Sequence, residues 1–177
     1  MSRFERGLII TPGTDRQLGA YGLFRPAPSQ QRVLELPSHT LTVKSADPDL
    51  LWVGFDALCG GPLGQADYLT LAGMFPAWVV DGVPPPDVEP AGNTAARTAA
   101  SAAAAWHRFL DVMDILCDRD IMLVLISRSH LDWDAASRPA VPASPDAAAL
   151  AGIADRLAVL RRVESDEQLQ EEQTSGC

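Results

Sequence analysis

The hydrophobic positions of the chain form short runs that glycine and proline separate. Two runs, at 33–36 and 41–44, flank Pro37-Ser38-His39-Thr40, and this spacing predicts an antiparallel β-hairpin. Residues 51–53 predict a further strand. The continuous apolar run at 77–80 is typical of a strand that is buried on both faces of a sheet.

Helical periodicity follows in the middle of the chain. Residues 55–59 and 65–71 predict two short helices, and residues 94–117 predict a long one. Eight of the eleven residues at 95–105 are alanine, the best intrinsic helix former. The second half of the long helix carries an apolar stripe, which consists of Trp106, Phe109, Met113 and Leu116.

The aliphatic run at 121–126 predicts a central strand. Together with the run at 77–80 and the long helix between them, it predicts a parallel βαβ unit with a right-handed crossover. Ser144-Pro145-Asp146 predicts the start of a last helix, because serine is a preferred N-cap residue and proline is favoured at the first helical position. The apolar seam of that helix consists of Leu150, Ile153, Leu157 and Leu160. It is predicted to pack against the sheet, and an open seam for a partner helix is the alternative.

These elements predict an α/β fold, a small three-layer domain with a parallel βαβ core and an N-terminal β-hairpin. Residues 1–32 are interpreted as an N-terminal extension and residues 33–163 as the α/β domain. Residues 164–177 contain five acids and no base. They are interpreted as an acidic, disordered tail.

Charge and composition narrow the function. The 177 residues carry 23 acids and 14 strong bases, a net charge of −9, which disfavours nucleic acid as a partner. The longest strongly apolar run has six residues, so no membrane insertion is expected, and the N-terminus does not resemble a signal peptide. The protein is therefore predicted to be cytoplasmic. No two of the three cysteines form a CxxC pair, and their number is odd. The sequence therefore predicts neither a disulfide framework nor a zinc site.

The sequence contains only weak signals for a phosphate or magnesium site. The chain contains no GxxxxGK[ST] string, whose backbone amides and lysine would hold a triphosphate. The glycine-rich segment 60–64 precedes a helix and could attract an anion, although a turn between two helices explains it better. Asp81 follows an apolar strand, as a magnesium-holding carboxylate would. We expect it instead to accept hydrogen bonds in the turn before Pro84.

The segment after residue 126 contains residue types that occur in nucleophilic and metal sites. Ser127, His130 and Asp132 invite comparison with a catalytic triad, but no GxSxG elbow is present. His130, Asp132 and Asp134 form a weak metal pattern. No catalytic residue, metal or cofactor is predicted from these residues.

Several segments, in order, resemble the ZapE-type, AFG-like P-loop ATPases. Residues 55–59 and 63–69 are similar to the family's "F-x-x-L-C" and "p-l-g-a-x-D-Y-L" stretches, and 80–84 to its "l-x-D-x-V-P". Residues 108–116 are similar to its "R-F-I-x-L-I-D-x-L" helix, and 118–127 to the strand that follows it. The resemblance covers residues 41–163 and corresponds to the part of the family that follows its Walker motifs.

The resemblance implies a non-catalytic protein-interaction domain. It would act with a protein partner such as a separate P-loop ATPase subunit, in cell division or protein quality control. The seam that ends at Leu160 and the alanine-rich helix are the predicted surfaces. The alternative is an ATPase-family protein that contributes to ATP binding and hydrolysis in trans through Arg108 or Arg156. A hydrolase that uses Ser127 and His130 is a third hypothesis.

Overall fold

The computed structural model describes residues 6–84, 95–127, 147–158 and 160–164. The strands are β1 (Gly7–Ile10), β2 (Arg32–Glu35), β3 (Thr40–Val43), β4 (Ser45–Asp47), β5 (Leu50–Gly54), β6 (Ala77–Asp81), β7 (Met122–Ile126) and β8 (Arg161–Val163). The helices are α1 (Asp15–Ala20), α2 (Phe55–Cys59), α3 (Gln65–Met74), α4 (Ala95–Asp118) and α5 (Ala147–Leu157). Across the described ranges, no helix has the length and apolar character needed to cross a bilayer.

Six strands form one sheet in the order β4-β5-β6-β7-β1-β8. Only β4 runs antiparallel to its neighbour among these described pairs; the other pairings are parallel. The strands β2 and β3 form a separate antiparallel hairpin. The predicted α/β fold, with its parallel core and its hairpin, is therefore confirmed.

The strand β1 lies inside the sheet, between β7 and β8. The hydrophobic pattern predicted no strand at this position, because only three apolar residues stand between Gly7 and Thr11. The sheet thus includes residues from the segment interpreted as an extension. The predicted division into segments at 32 and 164 remains a prediction.

Both faces of the sheet are buried, which explains the continuous apolar runs. Leu123 and Leu125 of β7 face the larger core, to which α2, α3, α4, α5 and the hairpin contribute side chains. Val124 and Ile126 face a smaller core that contains Leu18 of α1. The sheet is therefore the middle layer of three.

The helix α4 connects the adjacent parallel strands β6 and β7, as predicted. Its apolar stripe is buried, and Phe109, Met113 and Leu116 have no exposed surface. The ring of Phe55 in α2 lies against those of Trp106 and Phe109. Its centroid is 5.0 Å from the centroid of Trp106 and 5.3 Å from that of Phe109. These contacts hold α2 against the long helix.

The described part of the apolar seam is buried rather than open, and the side chain of Leu150 lies outside the described residues. Ile153, Leu157 and Leu160 belong to the larger core, and α5 packs on α4. The seam that ends at Leu160 was predicted as a partner surface, and that prediction is wrong because the seam already has an intramolecular partner. The cap residues 144–146 and the side chains of the alanine-rich segment 95–103 lie outside the described part.

One buried carboxylate joins the hairpin to α3. Asp67, which is inaccessible to solvent, accepts the backbone N–H groups of Ser38 at 2.9 Å and Gly64 at 3.1 Å. His39 Nδ1 lies 3.5 Å from the same carboxylate. The hydrogen bond from Ser38, against the opposing effect of burial, holds the pKa of Asp67 below its usual range.

Gly7 should tolerate no side chain. Its φ is 151°, and a Cβ there would lie 2.1 Å from the carbonyl oxygen of Leu123. We expect Gly7→Ala to lower the free energy of unfolding by about 2 kcal/mol or more, measured by urea denaturation. The control is Gly19→Ala in α1, where no atom lies within 4 Å and stability should rise by about 0.5 kcal/mol. Equal effects of the two substitutions would contradict the pairing of β1 with β7.

Asp67 should make the stability of the protein depend on pH in the acidic range. Because its pKa is lower in the folded state, its contribution is complete above the unfolded pKa of about 3.9 and is lost as the pH falls through the folded value. We expect Asp67→Asn to lower the urea midpoint clearly at neutral pH, and the gap to the wild type to narrow below about pH 4. A gap that is constant with pH would show that the carboxylate charge contributes nothing.

Candidate functional site at the carboxyl edge of the sheet

The carboxyl ends of the parallel strands meet along one edge of the sheet. In open α/β sheets this edge is where ligands bind. Thr11 follows β1, Asp81 ends β6, and Ser127 follows β7. The edge is thus the first place to look for chemistry.

The turn after β1 is closed by a side chain of the chain itself. Thr14 caps α1 by accepting the N–H of Gln17 at 3.1 Å. In return, Gln17 Oε1 accepts the N–H groups of Gly13 and Thr14, both at 3.0 Å, and Gln17 Nε2 donates to the carbonyl of Thr11 at 2.9 Å. Gln17 is 1% exposed. The backbone donors of this turn are therefore already paired.

Asp81 is paired across the sheet edge. Its carboxylate, almost fully buried, accepts hydrogen bonds from Lys44 Nζ at 2.6 and 2.7 Å and from Trp52 Nε1 at 2.6 Å. The expectation that Asp81 serves the turn before Pro84 is wrong. Its partners come from the neighbouring strand β5, which pairs with β6 in parallel, and from the junction of β3 and β4, which the antiparallel pairing of β4 with β5 brings alongside.

An open cleft of about 400 Å³ surrounds the Lys44–Asp81 pair. Its lining includes Gln31, Thr42, Gly54 and Asp56. Within the part of the chain that the structure describes, no three His, Cys, Asp or Glu side chains converge as a metal site.

Ser127 has a structural contact at this edge. Its hydroxyl donates to the carbonyl of Val83 at 2.8 Å and is buried, so it joins the end of β7 to the segment after β6. His130, Asp132 and Asp134 lie outside the described residues. The triad and metal patterns that the sequence analysis considered in this loop are therefore not tested, and neither is its prediction that the loop holds no catalytic residue and no metal.

The two arginines proposed for a role in trans are bonded within the chain. Arg108 Nη1 donates to the carbonyl of Cys59 at 3.0 Å. Arg156 forms an ion pair with Asp114 and donates to the carbonyl of Gly152 at 2.8 Å. Both arginines thus hold helices together, whatever else they do.

Neither described cysteine has the environment of a nucleophile. Cys59 is buried, and burial raises the pKa of its thiol far above the usual range. Partial burial also raises the pKa of Cys117, to about 11. The glycine-rich segment 60–64 was considered above as an anion site. There, the N–H of Gly64 donates to the carboxylate of Asp67, so a side chain of the protein itself occupies this donor.

Comparison with known proteins places the chain in a family. The family described as AFG1-like ATPase matches residues 13–137, more than two thirds of the chain. The chain belongs to the AFG1-like ATPase family. The "Uncharacterized protein C115.02c" of Schizosaccharomyces pombe is 29% identical over 100 residues, which are 56% of this chain and 19% of that protein. The match thus spans about a fifth of the length of that protein. No solved structure matches the chain significantly.

An ATPase family implies Mg-ATP, and the described edge does not fit it. A triphosphate needs free backbone donors, whereas Gln17 occupies those of Gly13 and Thr14. A magnesium ion needs a free carboxylate, whereas Lys44 occupies Asp81. No step of ATP hydrolysis is therefore derived from these residues.

Sequence reasoning missed both Gln17 and Lys44. The spacing of Thr14 and Gln17 is that of a capping box, so Gln17 could have been found. Lys44 stands 37 positions from Asp81, and no local signal links the two residues.

The Lys44–Asp81 pair should be energetically asymmetric. Lys44→Met leaves a buried carboxylate without its cation, whereas Asp81→Asn leaves a half-exposed ammonium in solvent. We expect Lys44→Met to lower the free energy of unfolding by about 1–2 kcal/mol. The loss is smaller than for a fully buried ion pair, because water screens the charge of the half-exposed Lys44. Asp81→Asn should cost less, and the double variant should resemble Asp81→Asn alone. Additive costs in urea denaturation would exclude a direct coupling.

Proposed function

We propose that this chain is a non-catalytic member of the AFG1-like family that acts by binding a protein, specifically a P-loop ATPase subunit. The observation that carries the proposal is the pairing of Gln17 with the amides of Gly13 and Thr14. In this reading the chain contributes a surface rather than a nucleotide site. The resemblance to ZapE-type members further suggests a cytoplasmic role in cell division or protein quality control.

The turn after β1 argues against phosphate binding by its own energetics. A phosphate would have to displace the carboxamide oxygen of Gln17 from two hydrogen bonds. The displaced side chain is buried and would lose its bond to Thr11 as well. Unpaired buried polar groups cost about 1–3 kcal/mol each, so the closed turn is favoured.

The outer face of α3 supports a protein partner. Its exposed residues carry no charge, although the whole chain has a net charge of −9. They are Gln65, Ala66, Leu69, Gly73 and Met74, with Leu69 38% and Met74 48% exposed. Uncharged exposed surface with methionine and leucine is typical of the centre of protein interfaces. We propose this α3 face as the contact, in place of the buried seam of α5.

Action in trans on ATP is the alternative that family membership favours. Arg108 or Arg156 would then reach the nucleotide of another subunit. The internal hydrogen bonds of both arginines weigh against this role, because each guanidinium would have to leave a backbone carbonyl. Arg156 would also have to leave Asp114.

Titration with Mg-ATP separates these hypotheses. We expect no heat and no thermal shift from the chain alone, and no hydrolysis, because Gln17 holds the backbone donors of the β1 turn. A mixture with a full-length P-loop family member from the same cell should form a complex, and Arg156→Ala should leave its ATPase rate unchanged. A saturable response of the isolated chain to Mg-ATP would contradict the proposal, and loss of the mixture's activity in Arg156→Ala would favour the in-trans role.

Matched variants locate the contact in the same mixture. Leu69→Glu on the α3 face should weaken complex formation roughly tenfold or more. Phe24→Glu is the control, because Phe24 is 78% exposed and follows Leu23 of the smaller core, whereas α3 contributes to the larger core on the other face of the sheet. Equal weakening by the two variants would count against the α3 face.

A further inference from the structure

We propose that the Lys44–Asp81 edge is a closed cation site, in which the ammonium group of Lys44 takes the position of a divalent metal ion. Lys44 thereby acts as an internal counter-ion that keeps such ions from Asp81. The inference goes beyond the proposed function, because it holds whether or not a protein partner binds.

The geometry of the pair is that of a cation on a carboxylate. Lys44 Nζ lies nearly equidistant from the two oxygens of Asp81, at 2.6 and 2.7 Å. Trp52 Nε1 donates to Oδ2 from within the core and fixes the orientation of the carboxylate. The carboxylate side chain is 7% exposed and that of Lys44 is 52% exposed, so the positive charge approaches from the solvent side.

Other oxygen-bearing side chains line the cleft beside Asp81. Asp56, Thr42 and Gln31 line the same cleft as the pair. Mg²⁺ is commonly bound through one or two carboxylates and keeps several waters, so a freed Asp81 carboxylate with waters around it is a sufficient protein contribution. The open cleft leaves space for the waters.

The ammonium and a metal ion exclude each other. A divalent ion on Asp81 would stand within a few ångströms of the Lys44 charge, where repulsion is strong beside a buried carboxylate. Lys44 could withdraw only by giving up both of its contacts with Asp81. The wild-type edge is therefore closed, and removal of the lysine charge opens it.

Terbium luminescence tests the inference on the full chain. Tb³⁺ binds oxygen ligands and emits when a nearby indole is excited, and the Trp52 indole is bonded to Asp81. We expect little sensitised emission from the wild type and a roughly tenfold or greater gain in Tb³⁺ affinity in Lys44→Met. The emission should fall when Mg²⁺ is added and should vanish in Lys44→Met/Asp81→Asn.

Lys44→Arg is the matched control, because it keeps the charge and should behave like the wild type. Circular dichroism checks that each variant is folded, and Lys44→Gln replaces Lys44→Met if the latter is not. Saturable emission from the wild type equal to that of the neutral variant would overturn the inference. So would a folded neutral variant that binds no Tb³⁺.

A second measurement needs only the wild type. The indole N–H resonance of Trp52 should stay in place when Mg²⁺ is added to millimolar concentration, because Lys44 holds the carboxylate to which it donates. A saturable shift of this resonance would show that Mg²⁺ reaches Asp81 in the presence of Lys44, and the inference would fall.

Discussion

The strand β1 lies between β7 and β8, with Gly7 packed against the carbonyl of Leu123. This pairing brings the first described strand of the chain into the interior of a sheet that is otherwise built from later residues. It also brings the turn at Thr11–Thr14 to the carboxyl edge of the sheet, beside the end of β7. The arrangement of that edge depends on this insertion.

At the edge, side chains of the protein occupy the groups that a ligand would use. Gln17 takes the backbone donors of the β1 turn, and Lys44 takes the carboxylate of Asp81. Each pairing has a buried member, Gln17 in one and Asp81 in the other, and a buried polar group is costly to leave unpaired. The proposed role in protein binding is compatible both with membership of an ATPase family and with a sheet edge that does not fit Mg-ATP.

Much of the fold could be predicted from the sequence, because it follows from local periodicity. The stripe of Phe109 and Met113 in α4 and the hairpin of β2 and β3 arise from spacing alone. The strand β1 could not, since its few apolar residues give no period. The partner that buries the α5 seam could not be predicted either, because an amphipathic pattern does not indicate which surface covers its apolar side.

The site was less predictable than the fold, since its contacts join distant positions. Asp67 reaches Ser38 across 29 residues, and Asp81 reaches Lys44 across 37. Such pairs depend on strand order, which a single sequence does not encode in any short window. Gln17 is the exception, because its bonds are local and follow from the capping spacing.

The claim that the β1 turn is closed by Gln17 has a direct test in the backbone amides of Gly13 and Thr14. Nuclear magnetic resonance of the wild type during addition of Mg-ATP reports on both groups. The account predicts two amides that exchange slowly with solvent and whose resonances do not move. Saturable shifts of these two resonances would contradict it, because they would show a phosphate in the place of the carboxamide.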